Sequence, residues 1–186
     1  MTQYVAFLRG INVGGKKPIK MTELVAVLSA AGFRKVRTFI ASGNVIFETT
    51  AKDPARIGNK IERHLLKAFG EKITVIVRTV DELKAILKRN PFKKAKPAAD
   101  EMLFVTFLAS APPVKANLPL KSETEKMEVV ALMDGAAFIV ARRKQTGWFG
   151  FPHTFAEKEF KVPTTTRNWT TIVKIVAAAE RDRVSN

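Results

Sequence analysis

The chain has 186 residues, 46% of them hydrophobic, and a formal net charge of +15. It contains no cysteine, which excludes disulfide staples, thiolate nucleophiles and cysteine-held zinc. No apolar run approaches the roughly 20 residues that span a bilayer, so a globular protein with its own core is expected.

The N-terminus, MTQYVAFLRG, has no basic segment ahead of its apolar run. It reads as a strand rather than a signal peptide, and a cytoplasmic protein is expected. Both faces of that strand, Tyr4/Ala6/Leu8 and Val5/Phe7, are apolar, which predicts a sheet covered on both sides. A Gly- and Lys-rich loop follows, Gly10 to Lys20. Leu24, Val25, Val27, Leu28 and Ala31 then recur at helical spacing, with Gly32 as the stop,. VRTFIA and NVIFE flank Ser42 and Gly43, a hairpin signal,. Asp53-Pro54 is an N-cap followed by proline at the first helical position,. The helix it opens carries Ile57, Ile61, Leu65, Leu66 and Phe69 on one side and closes at Gly70. ITVIVR, 73–78, is another strand. The order through residue 78 is β-α-β-β-α-β, that of ferredoxin-like folds.

Thr79 and Glu82 make a capping box, and the helix after it ends near Asn90-Pro91,. FKKAKPAAD is a basic linker candidate. A second series begins with MLFVTFLA, 102–109, continues with EVVALM and AAFIVAR around Asp134-Gly135, a strong hairpin signal, and ends in a helix over about 166–181. The expected architecture is therefore α+β, two packed halves (1–90 and 91–186) built as duplicated ferredoxin-like units.

Three segments hold the candidate site residues. In RGINVGGKK, Gly10-x-x-x-x-Gly15-Lys16 matches the start of a P-loop,. Lys17 stands where Ser or Thr would bind magnesium, so nucleotide hydrolysis by this loop is not expected. Exposed backbone N–H groups of a glycine-rich loop after a strand can still cradle an anion; a tight turn that merely needs glycine is the alternative. In a β-α-β-β-α-β unit the first two strands run the same way. The loop leaving the first and the hairpin leaving the second then share one edge. That places Arg9, Asn12, Gly14, Gly15 and Lys16 on one rim with Ser42, Gly43 and Asn44. Asn12 and Asn44 are equally compatible with bracing turn backbone. Arg9 ends an apolar strand and needs a partner if buried. The third segment is PTTTRNWTT. Thr165 or Thr166 as N-cap puts Arg167, Asn168 and Trp169 in the first helical turn, where an arginine opposes the helix dipole and is suited to an anion or carboxylate. Trp169 is expected in the core, as are Trp148, Phe149 and Phe151 of GWFGF, although that stretch also fits a lid or a partner contact. His64 and His153 are the two histidines, and neither a metal cluster nor a catalytic triad is legible; no cofactor is indicated.

FLRGINVGGKKPIKM, GF-x-x-V-x-T-x-I-x-SGNV-x-F and TTRNW-x-T, in that order, resemble the bacterial family called domain of unknown function 1697. The resemblance covers nearly the whole chain and implies an α/β fold and a bacterial origin, without an activity. Ala41 stands where the family usually has glutamine; if that amide touches a ligand, this chain lacks the contact.

Three functions compete. The first is a binder of, or an enzyme for, a small anionic, phosphorylated or nucleotide-like ligand, based on the basic rim. Through Phe47 the one acid is Glu23, against Arg9, Lys16, Lys17, Lys20, Arg34, Lys35 and Arg37. The second is nucleic-acid binding, based on the net charge and on a strand order shared with RNA-recognition modules. Weak, sequence-independent binding is the most that is expected, because the aromatics read as internal. The third is an interaction protein with no small ligand. A membrane partner is not expected.

Overall fold

The computed structural model describes residues 1–12, 18–40, 43–93, 98–113 and 116–184. The chain divides into two compact units, Met1–Leu83 with the residues from Asp182 on, and Lys84–Arg181.

The first unit contains β1 (Thr2–Leu8), α1 (Met21–Ala30), β2 (Arg34–Thr38), β3 (Asn44–Thr49), α2 (Pro54–Phe69) and β4 (Val75–Thr79). Its sheet has the order β2-β3-β1-β4, antiparallel throughout. Tyr4, Ala6 and Leu8 share a core with Leu24 and Leu28 of α1 and Ile57, Ile61 and Leu65 of α2. Val5 and Phe7, on the opposite face of β1, are also fully buried. The expectation from the strand's two apolar faces therefore holds.

Local signals set the helix ends. Asp53 Oδ1 accepts from the N–H groups of Ala55 and Arg56 at 2.9 and 3.2 Å. Gly70 N–H closes α2 on Leu66 O at 2.9 Å. Leu66 departs from the expected apolar stripe and is 48% exposed. The capping box forms as read. Thr79 N–H donates to Glu82 Oε2 at 2.7 Å, and Glu82 N–H donates to Thr79 Oγ1 at 3.0 Å. It opens α3 (Val80–Arg89), within which the chain passes from one unit to the other.

The second unit contains β5 (Glu101–Leu108), β6 (Leu120–Ser122), β7 (Met127–Met133), β8 (Ala136–Arg142), α4 (Pro152–Phe160), β9 (Thr164–Asn168) and α5 (Trp169–Val184) up to Arg181. Its antiparallel sheet has the order β6-β7-β8-β5-β9. Without β6, that order repeats the first sheet with β5, β7, β8 and β9 in the places of β1, β2, β3 and β4. The backbone junctions repeat as well. Leu8 N–H donates to Gly43 O at 2.8 Å, and Leu108 N–H to Gly135 O at 2.9 Å. Arg9 N–H donates to Thr74 O, and Ala109 N–H to Pro163 O, both at 2.9 Å. The helices do not repeat fully: between β5 and β7 the chain forms β6 where the first unit has α1. The second unit thus departs from a complete β-α-β-β-α-β copy.

Candidate site at the rim of the first sheet

β1 and the β2–β3 connection meet at the end of the first sheet. β1 pairs with β3 antiparallel, Phe7 opposite Asn44. Gly43 has φ +74, and a Cβ there would lie 2.9 Å from Ile11 Cγ1 and 3.0 Å from Leu8 Cβ. Glycine at 43 is therefore required twice, by a left-handed backbone and by close packing on the residues that leave β1.

Each side of the rim is braced by an asparagine. Asn12 Oδ1 accepts Ile19 N–H at 2.8 Å, and its Nδ2 donates to Ile19 O at 3.1 Å. One side-chain amide thus ties residue 12 to residue 19 as a strand partner would, and the flanking Ile11 and Ile19 lie in the core. Asn44 is fully buried. Its Nδ2 donates to Phe39 O at 3.1 Å, while Phe39 N–H donates to Asn44 O at 2.9 Å. Both asparagines brace backbone, the alternative their residue type had left open. Gly14, Gly15, Lys16 and Ser42 of the expected site, together with Lys17 and Ala41, lie outside the described residues.

Arg9 is half-buried one residue beyond β1. The β1–β4 ladder continues through its N–H to Thr74 O, which keeps it in alternation with Val5 and Phe7. Two arginines that the sequence did not assign to the rim share that face. Arg78 stands opposite Val5, and Arg37 opposite Ile46, itself opposite Val5. Burial lowers the Arg78 pKa from its ordinary value, partly offset by Glu82. Strand alternation alone could not find this set, because it needs the pairing register.

Arg167 is placed differently from the sequence expectation. It lies in β9, opposite Val105 of β5, and α5 begins two residues later. The run Thr164–Thr166 is β-branched, favours a strand, and finds β5 to pair with. The helix-dipole argument therefore does not apply. Arg167 Nη1 donates to Thr165 Oγ1 at 3.0 Å and Thr166 O at 2.7 Å, and burial pushes its pKa down to about 10. It belongs to the second unit, whereas the rim belongs to the first.

Trp169 meets the expected core role in part: it is half-buried and packs edge-on against the buried Phe92, ring centroids 5.2 Å apart. In GWFGF that role holds for Phe149 alone, which packs against the second core. Trp148 and Phe151 are exposed, contrary to the core role expected of them. His64 Nδ1 lies 2.8 Å from Lys60 O, and the His153 ring meets Phe151. Among the described residues no group of three or more His, Asp or Glu could hold a metal ion, and no helix is long and apolar enough to cross a membrane.

Residues 1–138 match the family model described as protein of unknown function (DUF1697). The match ends before the PTTTRNWTT segment. The fold is similar to that of a conserved bacterial protein from Streptococcus pneumoniae. The two are 21% identical with a TM-score of 0.64, over 95% of this chain and 97% of that one. No curated protein matches the chain.

Proposed function

We propose that this chain, which belongs to the DUF1697 family of proteins of unknown function, binds a small anionic ligand, phosphorylated or nucleotide-like, at the rim of its first sheet. The observation that carries this reading is the recurrence of the same backbone junction in the second unit. There Ala109 takes the station of Arg9, and Ala136, the residue after Gly135, that of Asn44, with matching hydrogen bonds around them. The scaffold is therefore built without a charged residue at the end of its first strand. The backbone junction itself therefore does not call for an arginine, and an arginine next to a glycine-rich loop suits phosphate or carboxylate.

In this reading the rim residues divide into two kinds. Asn12, Asn44 and Gly43 hold the two connections in place. Arg9 and Lys16 supply charge, Gly14 and Gly15 supply backbone N–H groups, and Ser42 supplies a hydroxyl. The near absence of acid through Phe47 leaves the field there positive.

The test is a thermal-shift titration of wild type and Arg9→Ala with inorganic pyrophosphate. Wild type should be stabilised as the anion binds. Arg9→Ala should melt at the same temperature without ligand and bind more weakly by about 1.5–3 kcal/mol, the range of a charged hydrogen bond. A lower melting temperature for Arg9→Ala, with a wild type indifferent to the anion, would make Arg9 structural and reject the reading.

A further inference from the structure

The connection from β8 to α4 presents two large aromatic side chains to solvent, Trp148 at 78% and Phe151 at 69% exposure. The loop that carries them is anchored at several points. Lys144 N–H donates to Trp148 O and Gly147 N–H to Lys144 O, both at 2.9 Å. Phe149 turns inward, edge-on to Phe104 at 6.4 Å between centroids. Gly150 lies flush on the β6–β7 turn: a Cβ there would sit 2.7 Å from Glu125 Oε2 and from Met127 Cε. Lys144 Nζ reaches Glu125 Oε2 at 3.0 Å, and the Arg143 guanidinium lies over the Phe149 ring at 5.4 Å. The outward rings are thus fixed by inward anchors on either side of them.

We propose that this loop is a stacking platform for single-stranded nucleic acid, bound without sequence preference. Every base offers a π-face, and proteins that bind single strands non-specifically combine exposed aromatic rings with cations. Here ARRK immediately precedes QTGWFGF. Arg143 has no carboxylate partner among the described residues, and the net charge of +15 draws a polyanion from a distance. The turn that leads to Trp148 is Gln145-Thr146-Gly147, exposed throughout. Burying those polar groups in a bilayer would cost free energy, whereas beside bases they can hydrogen-bond base edges. A duplex keeps its base faces stacked and out of reach. The platform belongs to the second unit and stands on observations separate from those at the rim.

The test is fluorescence anisotropy of fluorescein-labelled dT20, with a 20-base-pair duplex and phosphatidylserine-containing vesicles as competing probes. Wild type should bind dT20 in the micromolar range, more tightly than the duplex, with affinity that falls as salt rises. Trp148→Ala and Phe151→Ala should each weaken binding about tenfold at an unchanged melting temperature. Trp148→Phe should keep most of the affinity. Unaltered dT20 affinity in Trp148→Ala, no dT20 binding even at low salt, or Trp148-dependent uptake by vesicles in place of dT20 would each overturn the proposal.

Discussion

Asn44 shows how a side chain in a motif can be structural without being dispensable. Its amide satisfies the Phe39 carbonyl at 3.1 Å from a fully buried position. Asn44→Ala leaves that carbonyl without the bond, and we expect a loss of about 1–3 kcal/mol in urea unfolding. Gly43→Ala should also destabilise the fold, because the left-handed backbone and the 2.9 Å approach to Ile11 leave no room for a methyl group. Arg9→Ala should leave unfolding unchanged, since Ala109 occupies the matching station in the second sheet. These three variants, measured in one urea series, separate the residues that build the rim from the residue that serves it.

At the scale of elements, the cross-strand pair Glu101–Arg142 gives β5 and β8 a pH dependence. Arg142 Nε meets Glu101 Oε1 at 2.7 Å. The Ala98 N–H and then Arg142 hold the Glu101 carboxyl below its ordinary value. A carboxyl with a lower pKa in the folded state adds stability above its unfolded pKa and loses it as pH falls through the folded value. Glu101→Gln should therefore lower stability at neutral pH and flatten the acid side of a stability-versus-pH curve; an unchanged acid limb would show that the pair contributes nothing. This pair was not legible in the sequence, because forty-one positions separate its members. Capping signals were legible: Asp53-Pro54 and Thr79-x-x-Glu82 act within one helical turn, so sequence neighbours decide them. β9 was misread because TTTRN can cap a helix or pair as a strand, and only the presence of β5 decides which. α4 was not anticipated. For GWFGF, residue type favours the core over a lid or partner contact, and this holds for Phe149 but not for Trp148 and Phe151, because burial depends on which way a loop turns.

For the whole molecule, the strand framework was readable because alternation, hairpin glycines and helical spacing agree along the first 78 residues. The likeness of the two series was visible in composition. What it meant was not: the matching hydrogen bonds at Leu8/Leu108 and Arg9/Ala109 fix an alignment that residue types alone leave open. That alignment turns the second unit into a built-in comparison for the first, one with the scaffold and without the polar rim. The rim's own contents were legible only as residue types: Asn12 and Asn44 proved to be braces, and Arg37 and Arg78 emerged from register. The first unit's rim is proposed to be a ligand site. The most direct measurement is a crystal structure of the protein soaked in tungstate, a heavy stand-in for phosphate, with anomalous scattering recorded. We expect the strongest peak at the rim, within hydrogen-bonding distance of Arg9 and the glycine-rich loop, and its loss in Arg9→Ala. A strongest peak away from Arg9, or one that survives the Arg9→Ala substitution, would contradict the claim.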